Sequence, residues 1–222
     1  MAVQLSAPFA VPFGFSEMPD APSLNAELRT LFLAREAAGS TYANAQPTMK
    51  INPSLFESRF DLFRWPDPCI RRLREFCWSQ LHEMIGQTTA LDATAMQALV
   101  GHADAWFHIT RRGGWFAQHN HPMASWSGVY CVDAGRDDGS RRDSGLLSFT
   151  SPTVAASMYV DAANKALRIP FSHDSREFRL QPGQLVLFPS WLVHQVTPFA
   201  GDGERITVAF NAWFTVRDGS AR

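Results

Sequence analysis

Three histidines and one arginine are the groups in this chain best placed to do chemistry. His119 and His121 stand in Gly114-Trp115-Phe116-Ala117-Gln118-His119-Asn120-His121-Pro122. A spacing of two puts both imidazoles on one face of a strand, and neutral imidazole is the commonest metal-ligating side chain. His194 lies in Gly183-Gln184-Leu185-Val186-Leu187-Phe188-Pro189-Ser190-Trp191-Leu192-Val193-His194. Flanked by Leu192, Val193 and Val196, its ring must find a partner if buried. A core histidine bonded to a carbonyl would satisfy that need. With a same-face pair on a neighbouring strand, a three-point metal site does so as well. Arg205 opens the run Arg205-Ile206-Thr207-Val208-Ala209-Phe210-Asn211. The period of two gives Arg205 and Thr207 one face and Ile206, Val208 and Phe210 the other. An inward arginine beside a metal needs an anion. Its planar fork suits a carboxylate, and Thr207 can add a hydroxyl; a structural salt bridge is the other use for such an arginine.

These residues need strands to hold them. Candidate strands run over 102–110, 115–121, 125–132, 145–149, 177–180, 184–188, 192–196 and 205–216, separated by clusters rich in Gly, Pro, Asp and Ser. Many short strands after an early helical region imply a mainly β protein, a sandwich or jelly roll with N-terminal helices packed on one sheet. Upstream, Phe9, Val11, Phe13 and Phe15 mark an irregular edge strand. Ser23 is a candidate cap for a helix from Leu24 to Ala38, stopped by Gly39. Residues 40–53 read as a loop, and 55–63 as a short piece of helical character. The clearest helix has Asp67 as a candidate cap, shows Ile70, Leu73, Cys77, Leu81, Met84 and Ile85 on one face, and ends at Gly86. The organisation expected is a single domain over 1–222, with a helical support region at 1–95 and a jelly-roll catalytic core at 100–216.

Composition narrows the function classes. A formal net charge of -1 argues against a nucleic-acid surface. The dense charges at 136–143 nearly cancel and read as a solvated loop. Three cysteines (Cys69, Cys77, Cys131) are an odd number without C-x-x-C, so neither a disulfide framework nor a thiolate zinc site is indicated. The expectation is a cytoplasmic protein, with no signal peptide and no apolar run of the roughly 18 residues that a membrane span needs. Oligomeric state is left open, a homodimer included. His102 and His108 share a face of the first core strand; either could line the substrate pocket, with sheet packing or solvent as the preferred reading. His173 reads as a loop residue.

In combination, His119-x-His121-Pro122, Ser127-Gly128-Val129-Tyr130, Gly145-Leu146-Leu147, the Pro182-Gly183 turn, Phe188-Pro189-Ser190-Trp191-Leu192-x-His194 and Arg205-Ile206-x-x-Ala209-Phe210-Asn211 resemble the 2-oxoglutarate and iron(II)-dependent oxygenases, in particular a bacterial and phage branch. The resemblance covers about residues 100 to 215. It implies a double-stranded β-helix that binds Fe(II), 2-oxoglutarate and O2. It also implies an oxygenase that couples decarboxylation of 2-oxoglutarate to succinate and CO2 with oxidation of a C–H bond in a small-molecule or peptide substrate. Carried over residue by residue, it makes His119 and His194 iron ligands and Arg205, with Thr207, the holder of the distal carboxylate of 2-oxoglutarate. His121 stands where the wider superfamily has a carboxylate. Either His121 completes a three-histidine set, or an acid such as Asp133 does. Cys131 stands where the branch usually has a tyrosine.

Two alternatives need no keto acid. Gly183-x5-Pro189-x4-His194 resembles a second cupin motif, but Ser125 and Trp126 stand where the first cupin motif wants a glutamate. A non-catalytic β-sandwich binding module would keep the histidines as structural groups.

Overall fold

Alternation of apolar and polar residues along one strand organises the molecule, whose computed structural model describes residues 2–49 and 52–217. In chain order the elements are β1 (Gly14–Glu17), α1 (Ala21–Ala37), β2 (Leu55–Glu57), α2 (Pro68–Thr88), α3 (Ala93–Ala98), β3 (Leu99–Thr110), β4 (Phe116–His119), β5 (Trp126–Asp133), β6 (Arg136–Asp137), β7 (Leu147–Phe149), β8 (Arg176–Phe178), β9 (Gln184–Pro189), β10 (His194–Val196), β11 (Gly201–Asp202) and β12 (Arg205–Val216). They form a six-stranded sheet in the order β1-β9-β5-β12-β3-β2 and a four-stranded sheet in the order β4-β10-β7-β8. A small ribbon joins β6 to β11. Among the described residues every pairing between these strands is antiparallel, and an isolated parallel bridge joins Asp61 to Ala105 of β3. This is the mainly β jelly roll expected, with helices laid on the larger sheet.

Strand β12 pairs with β3 along its whole length, from Arg205 opposite Thr110 to Val216 opposite Leu99. Its even-numbered residues Ile206, Val208, Phe210 and Ala212 are buried and face the helices. There they join Leu24, Leu28 and Phe32 of α1 with Ile70, Leu73, Cys77 and Leu81 of α2 in one core. The rings of Phe32 and Phe107 stack with centroids 4.2 Å apart. Full burial of each such side chain is worth about 1.5–3 kcal/mol. Gly128 lies opposite Phe210 in the sheet, and a Cβ there would run into the Phe210 ring, so glycine gives that ring its space. A second, smaller core around Cys131, Leu147, Phe149, Val186, Phe188 and Leu192 fills the space between the two sheets.

Several boundaries differ from the sequence expectation. Helix α1 begins at Ala21 with Pro22 in its first turn, so Ser23 lies inside the helix and does not cap it. Gly39, at φ +66°, does follow its end. Helix α2 runs through Gly86 to Thr88. Residues 55–57 form a strand on the sheet edge, where helical character was expected. The early aromatic edge strand exists as β1, but begins only at Gly14 and pairs with β9 alone. Helix α3, capped by Asp92 accepting from Ala95 N–H at 2.8 Å, was not anticipated.

Candidate metal centre and anion pocket

His119 is the last residue of β4, and His194, the first of β10, is its direct antiparallel partner. Directly opposed residues project to the same side of a sheet, and the two ring centroids lie 4.3 Å apart. His121 lies just beyond the strand. Its backbone N–H donates to the Ser190 carbonyl at 2.9 Å, and its ring comes within 4.8 Å of His119 and 5.2 Å of His194. The three imidazoles can each offer a nitrogen, and these atoms all lie within 4.8 Å of one another. The premise that one strand carries both early histidines holds for His119 only; the turn after β4 brings His121 back to the same point.

Proton placement suits a metal. A carbonyl oxygen only accepts hydrogen bonds. Nδ1 of His119 therefore donates to Ala117 O at 2.7 Å, and Nδ1 of His194 to Leu192 O at 2.8 Å. Each ring is left with its Nε2 lone pair, and a hydrogen bond on the other nitrogen is the arrangement that orients ligating histidines. Burial, then the neighbouring imidazole of His119, lowers the pKa of His194 from 6.5 to about 3. The same causes lower that of His121 to about 4. Burial also lowers that of His119. At neutral pH all three rings are neutral, the form that binds metal.

Among the described residues, this is the one such cluster of three or more His, Cys, Asp or Glu side chains, and it contains no carboxylate. Asp133 is engaged elsewhere: it accepts from Arg29 Nε at 3.0 Å and from Gly135 N–H at 2.9 Å. Arg29 also holds Glu204 at 2.6 Å, so α1 is tied to the start of β12 from outside.

Arg205, the first residue of β12, is 6% exposed. Burial pushes its guanidinium pKa below the ordinary value, and among the described residues no carboxylate opposes that shift. A buried cation without an anion is costly, so this one is suited to an anion that comes from outside. Thr207 follows on the same face, buried beside it. One cleft, open to solvent, is lined by Arg205, Thr207, His119, His121 and His194 together. The donor set thus fits a metal ion at one end and a carboxylate at the other. Cys131 lies buried between the sheets near Arg205, its thiol pushed up to about 11 by burial.

Sequence reasoning did not single out Trp106 and Asn211, which line the cleft. His108, for which a place in the pocket was the less favoured reading, lines it with them. The signal was present: Trp106 and His108 share the face of β3 that opposes Ala209 and Thr207. His102 instead stacks on Trp213 at a centroid distance of 5.8 Å, away from the cleft. His173 lies in a loop, as expected, and bonds to Thr153.

Residues 104–211 match the sequence model of a family described as "Putative 2OG-Fe(II) oxygenase". No curated protein matches the sequence. Solved structures with the same fold include a Pseudomonas putida prolyl-4-hydroxylase, 18% identical, with a TM-score of 0.56 over 93% of this chain and 94% of that one. A prolyl hydroxylase from Trichoplax adhaerens, in complex with a hypoxia inducible factor peptide fragment, is 13% identical, with a TM-score of 0.52 over 94% and 88%. HygX from Streptomyces hygroscopicus, with nickel and 2-oxoglutarate bound, is 10% identical, with a TM-score of 0.52 over 93% and 84%. At these identities the structures speak for the fold. Residues 104–211, just under half of the chain, hold every residue of the candidate site, and over that stretch the chain resembles the 2OG-Fe(II) oxygenases.

Proposed function

We propose that His119, His121 and His194 hold the iron, that Arg205 with Thr207 holds the distal carboxylate of 2-oxoglutarate, and that the reaction is hydroxylase-type oxidation of a substrate C–H bond. The observation that carries this reading is a buried arginine with no carboxylate of its own, sharing a cleft with three neutral imidazoles. Iron, when bound, supplies O2 activation coupled to decarboxylation of 2-oxoglutarate to succinate and CO2. The chain supplies the rest. Ala117 and Leu192 carbonyls fix the His119 and His194 rings with Nε2 inward. Arg205 and Thr207 would hold the distal carboxylate and so orient the keto acid. Phe188, Leu147 and Val196 make an apolar wall that keeps bulk water from the reacting groups. Three neutral ligands leave an iron(II) site one unit more positive than two histidines and a carboxylate would, which favours a bound dianion. A metalloenzyme without a keto acid would leave the Arg205 cation unexplained.

Anaerobic addition of Fe(II) and 2-oxoglutarate tests the assignment. A weak visible charge-transfer band is expected, lost in His194→Ala and in Arg205→Ala. No band, together with no 2-oxoglutarate turnover, would overturn it. The wider setting belongs to the same proposal: one domain over 1–222, acting in the cytoplasm without nucleic-acid or membrane partners. Its support is the near-zero net charge, three free buried cysteines, and the absence among the described residues of any helix long and apolar enough to cross a membrane.

A further inference from the structure

One nitrogen of His108 is asked to do two incompatible things. Trp106 Nε1–H points at His108 Nε2 at 3.2 Å, while the same Nε2 lies 3.1 Å from Glu57 Oε2. A ring nitrogen either donates or accepts. Glu57 decides which. It is 6% exposed, and its Oε1 accepts from Asn44 Nδ2 at 2.7 Å, Thr48 N–H at 3.1 Å and Thr48 Oγ1 at 3.3 Å. Burial acts to raise its pKa, but the hydrogen bonds from His108, Asn44 and Thr48 and the charge of His108 outweigh it and hold the carboxyl below its ordinary 4.5. An anionic Oε2 facing a ring lone pair would be repelled, so His108 Nε2 carries the proton and donates to Glu57. That leaves the Trp106 N–H without an acceptor.

An unpaired buried donor is destabilising, and this one is not at the surface: Trp106 is 5% exposed and lines the cleft. Its ring lies 6.0 Å from that of His121. Along β3 it is four residues from Thr110, the partner of Arg205. At roughly 3.3 Å per residue this is about 13 Å of strand. The donor therefore belongs to the histidine end of the cleft, not to the end where Arg205 begins.

We propose that the Trp106 indole N–H is a positioning donor for the keto-acid end of 2-oxoglutarate, kept free for it by the Glu57–His108 hydrogen bond. This rests on the assignment of iron and 2-oxoglutarate to the cleft. The acceptor is an oxygen of the 1-carboxylate or 2-keto group, and Glu57 and His108 act on it only through Trp106.

The test is anaerobic titration of the Fe(II)-loaded protein with 2-oxoglutarate, read by the visible band. Trp106→Phe keeps the ring and removes the donor. The apparent Kd for 2-oxoglutarate should rise about two- to tenfold, and the band maximum should move, with Fe(II) loading and thermal unfolding as in wild type. Glu57→Gln provides a second route. Its amide oxygen can keep the Asn44 and Thr48 bonds while its NH2 faces His108, whose Nε2 then becomes an acceptor and captures the Trp106 N–H. The same Kd rise and band shift should follow with the indole in place, so this variant carries the test if Trp106→Phe does not fold. A wild-type band with unaltered Kd and maximum in the folded variants overturns the role of Trp106 and leaves the metal assignment intact. The absence of a band in wild type overturns both.

Discussion

The two faces of β12 divide the labour of the molecule. Ile206, Val208, Phe210 and Ala212 point to the helices and are buried among apolar side chains. Arg205, Thr207, Ala209 and Asn211, their immediate neighbours in sequence, line the cleft, which Phe210 also borders. The first face lowers the free energy of the fold. The second carries a charge that burial penalises. Alternation at a period of two lets one strand serve both ends, so that a change at one residue should move stability or chemistry and leave the other largely alone.

The largest expected effect is on the cleft side. His194→Ala should bring 2-oxoglutarate turnover to background, a loss of more than about a hundredfold, since even residues that merely orient ligands cost about 10–100-fold. Its melting temperature without metal should stay within a few degrees of wild type. Turnover that survives would remove His194 from the site. Ile206→Ala, one strand face away, should cost about 2–5 kcal/mol in urea unfolding while metal bound per folded molecule is unchanged. If it altered the spectrum of the metal centre instead, the two faces would not be separable.

Arg205→Ala should weaken 2-oxoglutarate by about one to two orders of magnitude, the range for charge-assisted hydrogen bonds. It should leave the apo protein as stable or more so, because a desolvated, unpaired cation is gone. A strongly destabilised Arg205→Ala would mean that the guanidinium has a structural partner.

The imidazoles add a pH dependence of definite sign. His194 and His121 have folded pKa values of about 3 and about 4, against 6.5 when unfolded. Above 6.5 both states hold them neutral. As pH falls below 6.5 the unfolded chain takes up protons that the folded chain refuses, so stability of the metal-free protein is progressively lost down to about pH 4, by at most about 1.4 kcal/mol per pH unit for each ring. Urea unfolding near neutrality and at about pH 5 measures this. His121→Leu should give a shallower slope, and an equal slope would contradict the burial of that ring.

The smallest effect belongs to the outer rim. Arg111 makes a two-pronged pair with Glu36, both bonds at 2.7 Å, but its side chain is 44% exposed. Arg111→Ala should change stability by about 0.2–1 kcal/mol, less in high salt. A larger loss would show that the ties from α1 matter more to the sheet than its apolar face does.

Legibility in the sequence followed the length of each periodic signal. Strand β12, twelve residues of alternation, was read end to end. The apolar face of α2 was read residue for residue. Its end was not, because an interior glycine costs only about 1 kcal/mol, and buried Met84 and Ile85 hold Gly86 in the helix. Strand β2 has three residues and therefore no period to detect. Residues His119, His121 and His194 were singled out by residue type and spacing, and the structure gathers them at one point. The choice between His121 and Asp133 could not be made from the chain alone, because it turns on Arg29, whose pairing with Asp133 spans 104 residues of sequence. His108 was visible as a face residue of β3, but nothing in the sequence shows that its Nε2–H is engaged by Glu57.

The direct opposition of His119 and His194 across β4 and β10 also bears on how faithfully the chain assembles. Neither strand is long, and short pairings slip easily. A shift of one residue would turn His194 to the opposite face of its sheet and scatter the three rings. An ion that requires all of them therefore recognises only the correctly zipped arrangement, and its binding would act as a proofreading step on strand register.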